Sequence, residues 1–302
     1  MPLKNQLHVD QLLSNVSVKY SNVEYIADKV FPVLPVKKDS DLYRIYTRNF
    51  RIPETKRASK GVAREWDFDV STASYLLEEH ALKNYVGDEE GDNYDLGDLR
   101  ADMTEELTDA ILRMREKKVA DLFNTTGSWS LNVSLATANL FSANTTVSNP
   151  IPVFDTGATT VIKNSGYKPN FGILPRDAYV ACKNHVSVLD RVKYTSSDMT
   201  PAMLQGLFDL EELLIPNSVY DSAALGLADS IGNIFPNMAF LGWKPSSPGP
   251  MKPSCGYIFE KAVPRVRRWR VEERKAEAIE VQLKFQPKIV ASLTGYLING
   301  PV

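Results

Sequence analysis

The longest stretch with a single consistent period runs from Gly97 to Phe123. Leu99, Met103, Leu107, Ile111 and Met114 recur at steps of three or four, the spacing that puts side chains on one face of an α-helix. Asp98, Asp102, Glu105, Glu106 and Asp109 fill its first half, and Arg113, Arg115, Lys117 and Lys118 its second. That order suits the helix macrodipole. At about 1.5 Å per residue such a helix spans roughly 40 Å. It crosses a whole domain, so sheets and loops have to be laid against it.

The chain has 302 residues, enough for a sizeable core and about two domains. A formal net charge of -2 leaves no global basic field to draw it onto nucleic acid or an anionic membrane. Cys182 and Cys255 could form at most one bridge, which is no disulfide framework. The opening MPLKNQLHVDQLL does not read as a secretory signal, and no apolar run reaches the roughly 18 residues that span a bilayer. The expected setting is a reducing cytosol, or a particle assembled there. The Asn-x-Ser/Thr triplets at Asn15, Asn124, Asn132 and Asn144 are then chance matches.

Residues 1–40 read as an extended arm. Pro32 and Pro35 deny ladder donors, and so polar a segment is expected to lie on something other than its own chain. Residues 42–70 read as a long two-stranded ribbon. Tyr43, Ile45 and Thr47 alternate on the way out, and Val62, Arg64, Trp66, Phe68 and Val70 on the way back. From Arg44 to Arg64 it carries seven bases against Glu54 alone. Residues 78–109 are the reverse, with twelve acids facing Lys83 and Arg100. Two readings stay open: a solvated loop feeding an acidic helix start, or an acidic strip on which the basic ribbon of a neighbouring subunit lies.

Beyond the long helix, Asn149-Pro opens a second helix with Phe154, Ala158, Val161 and Ile162 on one face and Gly166 past its end. Strands are expected at Phe171–Leu174, Glu212–Ile215 and Met238–Gly242, and Thr200-Pro201 caps a helix between them. Ile279, Val281, Leu283 and Phe285 alternate with polar residues as a half-buried strand, preceded by the basic run RVRRWRV, and Gly295-Tyr-Leu-Ile makes a last short one.

Little chemistry is in view. Cys182 and His185 share a helix face, but His8, His80 and Cys255 are too scattered to complete a zinc site. Core cysteine with surface histidine is the plainer expectation. The run GDEEGDNYDLGD lacks the ligand pattern of a calcium loop. No phosphate loop, dinucleotide fingerprint or nucleophile elbow occurs.

The order of elements, together with GYKPNFGILPRDAYVACKNHVSVLDRVKY and SCGYIFEKAVPRVRRWRVEERKAEAIEV, resembles the major capsid proteins of tailed double-stranded DNA bacteriophages, the Hong Kong 97 fold. The resemblance extends over essentially the whole chain. It implies an α+β protein with an N-terminal arm at 1–40 and an extended loop (E-loop) at 41–75. A peripheral domain would hold 76–165, with the spine helix at 96–123. An axial domain would be inserted at 166–254, and 255–302 would return to the peripheral sheet. It implies hexamers and pentamers of an icosahedral head around packaged double-stranded DNA, in a virion assembled in the host cytoplasm. It further implies a portal protein and a separate scaffolding protein, since no charged helical block precedes residue 40. A decoration protein is left open. No catalytic residue, metal or cofactor is expected. Lys56 and Lys60 stand where some members place a cross-linking lysine, but no partner asparagine is recognisable and no cross-link is expected. The interface residues expected are Arg44, Arg48, Arg51, Lys56, Arg57 and Lys60, facing Glu89, Glu90, Asp92 and Asp95 of a neighbour. The competing readings are an enzyme centred near Cys182 and a DNA-binding protein using 261–275.

Overall fold

The computed structural model describes residues 8–9, 25–45, 50, 52–57, 59–63, 65, 71–92, 94, 98–124, 126–145, 147–193, 199–224, 226–250, 252–261 and 265–302. The arm departs from expectation first. β1 (His8–Val9) pairs antiparallel with the chain's own basic strand, His8 opposite Arg268. α1 (Ala27–Val30) and β2 (Val33–Pro35) then pack onto the same body, β2 running parallel to Gly256–Glu260. The expectation that the arm lies elsewhere is therefore corrected over 25–36. Ile26, Val30, Phe31 and Leu34 are all buried, and burial of such a side chain contributes about 1.5–3 kcal/mol. Pro35 sits on an edge strand, where a missing donor is tolerated.

β3 (Ser40–Ile45) and β4 (Ser71–Leu76) form a separate two-stranded sheet, and β5 (Glu78–Gly87) runs from it into the main sheet. The short α2 (Asp88–Asp92) precedes the long helix α3 (Leu99–Asn124), which starts where Asp98 accepts from the Arg100 amide at 3.0 Å. Its buried face is turned from the one expected. Thr104, Thr108, Ile111, Arg115, Glu116, Val119, Ala120 and Phe123 are buried, Leu99, Met103 and Leu107 are half-buried, and Met114 is 48% exposed. A hydrophobic stripe could not reveal this. The two threonines return their hydroxyls to carbonyls four residues back, at 2.7 and 2.6 Å, and Arg115 and Glu116 find partners far away in sequence.

After α3 come β6 (Asn132–Ser134), α4 (Pro150–Ser165), β7 (Phe171–Ile173), α5 (Arg176–Lys183), α6 (Val186–Val192), α7 (Pro201–Leu207) and β8 (Glu212–Leu214). β9 (Val219–Asp221) and β10 (Ile231–Asn233) make a small hairpin, followed by β11 (Met238–Gly242), β12 (Gly256–Glu260), β13 (Arg265–Val271), β14 (Ala276–Ile289) and β15 (Gly295–Asn299). The caps lie where the sequence places them. The Asn149 side chain accepts from the Ile151 amide, that of Thr200 from the Met203 amide, and Gly166 ends α4 with φ 70.

β14 is the axis of the first sheet. β5 pairs along 276–285, while β13 takes 276–282 and β12 takes 285–289. Phe285 pairs on both sides, with Glu78 and with Glu260, so β12 and β13 share one edge of β14. The expected alternation holds: Ile279, Val281, Leu283 and Phe285 are buried in the core beneath α3.

The second sheet has the order β6-β15-β11-β7-β8. The final strand therefore leaves the first sheet, and 255–302 is not a return to that sheet alone. Nor does the core divide at residue 166, because α4 packs on the second sheet, where a Cβ on Gly157 would come 2.8 Å from the Tyr296 ring. One face of this sheet puts Phe171, Ile173, Phe240 and Leu297 into the core shared with Phe123 and Trp129. The other puts Ala239, Leu241, Tyr296 and Ile298 against α4 and α5. Gly242 opposes Gly295 across β11 and β15. A Cβ on either would meet the Phe240 ring at 2.6 or 2.5 Å, so both positions must stay small to admit that ring.

Candidate functional site

β3 and β4 pair from Ser40–Leu76 to Ile45–Ser71. The return strand is expected over 62–70; the described strand that pairs with β3 is Ser71–Leu76. Val62, Ala63 and Glu65 have no regular structure, and Arg64, Trp66, Phe68 and Val70 lie outside the described residues. Packing decides the register. Tyr75 stacks on Phe259 with ring centres 4.5 Å apart, Tyr43 approaches the same ring at 5.3 Å, and Leu34, Tyr257 and Val290 close the cluster. Such aromatic pairs add about 0.5–1.5 kcal/mol beyond burial. Beyond this root, Phe50 is 53% exposed and Ile52 and Val62 are each 95% exposed. A hairpin with nothing over its apolar side chains is marginal in water by itself.

Arg44, Lys56, Arg57 and Lys60 are exposed, and among the described residues none of the four is in an ion pair. Arg48 and Arg51 lie outside the described residues, as does Asp95. Glu89 and Glu90 are exposed on α2, which Asp92 ends, and Glu90 accepts from the Gly87 amide at 3.2 Å. Among the described residues, none of these four bases is in an ion pair with Glu89 or Glu90. Several acids of the run pair within their own chain. Glu78 pairs with Lys118, Glu79 with Lys284 at 2.7 Å, Asp88 with Arg270 at 2.7 Å and Asp109 with Arg113 at 2.6 Å. The Lys118 and Arg270 contacts hold the carboxyls of Glu78 and Asp88 below their ordinary range.

The sequence gives little sign of how the arm is fastened. Glu116, fully buried on α3, accepts from the amides of Ile26 at 3.0 Å and Ala27 at 2.8 Å, with the Ser218 hydroxyl at 3.4 Å. Its neighbour Arg115, 5% exposed, donates to Glu260 at 3.0 Å and pairs with Asp28. Burial raises the carboxyl pKa of Glu116 and of Glu260 and lowers that of the Arg115 guanidinium. The one available signal was an Arg-Glu pair placed a turn after Ile111, within the apolar stripe.

Neither rival site is assembled. Cys182 is fully buried and desolvation pushes its thiol pKa far up, while that of Cys255 is pushed up to about 12. His185 is buried, not on the surface as expected. Its Nδ1 accepts from the Ser187 amide at 3.2 Å, which leaves Nε2 to donate to Ser148 Oγ at 3.0 Å. Nδ1 is spent on capping α6 and Nε2 on Ser148, so neither nitrogen is left as a base for a thiol. In the basic run, Arg267 lies 4.0 Å from Glu280, Arg268 4.0 Å from Glu277, and Arg270 against Asp88. Three of its arginines thus face acids of the same chain. Among the described residues no group of three His, Cys, Asp or Glu side chains could hold a metal ion, and no helix is long and apolar enough to cross a membrane.

No protein-family model matches the chain. The major capsid protein of Burkholderia phage BcepMu is 27% identical over 302 residues, covering 97% of this chain and 96% of that protein. A phage-related protein of Bordetella bronchiseptica, solved by crystallography, superposes with a TM-score of 0.80 at 24% identity, over 98% of both chains. The capsid structure of cyanophage P-SCSP1u superposes with a TM-score of 0.62 at 12% identity, over 91% of this chain and 88% of that one. The fold is that of phage capsid proteins, of the Hong Kong 97 type.

Proposed function

We infer that this chain is the major capsid protein of a tailed bacteriophage, a structural component of the virion shell. End-to-end similarity to a phage major capsid protein, 97% of one chain against 96% of the other, carries the reading. The finer assignments follow from how the extensions are built. Copies form hexamers and pentamers of an icosahedral head. In them the ribbon of one subunit crosses its neighbour, with Arg44, Arg48, Arg51, Lys56, Arg57 and Lys60 toward Glu89, Glu90, Asp92 and Asp95. Support comes from the exposed bases at Arg44, Lys56, Arg57 and Lys60, in no ion pair among the described residues, and from the exposed Ile52 and Val62. Opposite charges set the register and speed of such encounters more than their final affinity.

A separate scaffolding protein, a portal and non-specific contact with packaged double-stranded DNA complete the partners. No catalytic step is assigned. The test is to express the chain alone and with its phage's scaffolding protein, then examine the product by sedimentation and electron microscopy. Closed shells with hexameric and pentameric units are expected. A product that stays a small soluble species under both conditions would refute the reading.

A further inference from the structure

α1 has only four residues, yet its two ends are held by different layers of the molecule. At its start, the amides of Ile26 and Ala27 fill the acceptors of Glu116, and Asp28 pairs with Arg115, both on the long helix. At its end, the Lys29 carbonyl accepts from Lys244 Nζ. Lys244 belongs to the second sheet's side. It follows β11, pairs with Glu212 of β8 at 2.7 Å, and exchanges backbone bonds with the Asn170 side chain at 2.8 and 3.0 Å. Phe31 then seats 5.7 Å from the Phe123 ring, in space that exists because residue 256 is glycine, where a Cβ would come within 2.6 Å.

A fully buried carboxylate is costly unless its acceptors are filled. Most of the donors to Glu116 come from the arm, and among the described residues only the Ser218 hydroxyl would remain if the arm left. We propose that α1 is a latch between the spine helix and the second sheet, with Glu116 as its catch and Lys244 as its second hook. Release of the arm and loosening of the second sheet from the spine helix are then one event. A pull on the arm is felt at both layers. The latch belongs to the subunit's own fold, whatever kind of shell the subunit builds.

Hydrogen exchange of the full-length chain, read by mass spectrometry, tests the latch in the variants Glu116→Gln and Lys244→Met. Glutamine keeps the size of Glu116 but turns an amide N–H toward the arm's own donors. Glu116→Gln should speed exchange over 26–31 by about tenfold or more and also raise it at Glu212–Leu214. Lys244→Met, acting from the other hook, should speed exchange at 26–28. If each substitution changes exchange only beside itself, or Glu116→Gln leaves 26–31 at the wild-type rate, the latch is wrong. Should Glu116→Gln fail to fold, Lys244→Met decides alone: unchanged exchange at 26–28 would overturn the proposal.

Discussion

Arg115 and Glu116 are adjacent, opposite in charge and both buried, so their worth depends on what would be left behind if either were removed. Without Arg115, the largely buried Glu260 would keep its charge with no partner. Removing one member of a buried pair costs about 3–5 kcal/mol, whereas replacing the whole group by apolar side chains is often neutral. Arg115→Met should therefore lower urea stability by about that amount, and Arg115→Met with Glu260→Gln should recover most of the loss. A double variant no more stable than the single would contradict the account. Glu116 bears on pH. Burial raises its pKa in the folded state, so the stability tied to its protonated form is present below the ordinary carboxylate value and is lost as pH rises through the raised one. Glu78 and Asp88, held low by Lys118 and Arg270, act in the opposite sense and lose their contribution as pH falls. Urea midpoints between about pH 4 and 7 should show Glu116→Gln gaining on the wild type as pH rises. A difference that does not change with pH would mean that Glu116 is not titrating from a buried position.

Elements were legible where each residue's own character decides its side. Ile279 to Phe285 alternate because every inward position is apolar, and α3 could be placed because its charges sort by sign along its length. The face of α3 was not legible, since Thr104, Thr108, Arg115 and Glu116 are polar residues whose partners are backbone carbonyls or distant segments. The strand at Ser71–Leu76 was hidden for a related reason. SerThrAlaSer carries almost no hydrophobic signal, and its place is set by Tyr75 reaching Phe259, a contact across 184 positions of chain. Chemistry at the ribbon could be read only as a surplus of charge, which names a kind of partner without naming its position. That surplus makes a prediction at this scale. Arg57 is exposed and in no ion pair among the described residues, so Arg57→Glu should shift subunit stability by no more than about 0.5 kcal/mol. Shell yield, measured by sedimentation, should nevertheless fall sharply. Normal shells from this variant would rule Arg57 out of the contact.

At the scale of the whole molecule, the parts divide by where their stability comes from. The spine helix, two sheets and helices α4 to α7 bury two aromatic and aliphatic cores, one on each face of the second sheet, inside one chain, while the ribbon beyond Ile45 adds nothing to them among the described residues. Folding of the subunit and construction of the shell should therefore be separable by removing the ribbon alone. Ile45 pairs with Ser71 at the end of β3 and β4, so an Asn-Gly turn can replace residues 46–70 and close the hairpin in the geometry that two-residue loops favour. The shortened chain should unfold cooperatively, with a urea midpoint close to that of the intact subunit, because the Tyr43, Tyr75 and Phe259 cluster is retained. It should also sediment as subunits or small oligomers with the scaffolding protein present. Loss of cooperative unfolding would mean that the ribbon serves its own chain's fold. Closed shells would mean that the neighbour is gripped by some other part of the surface.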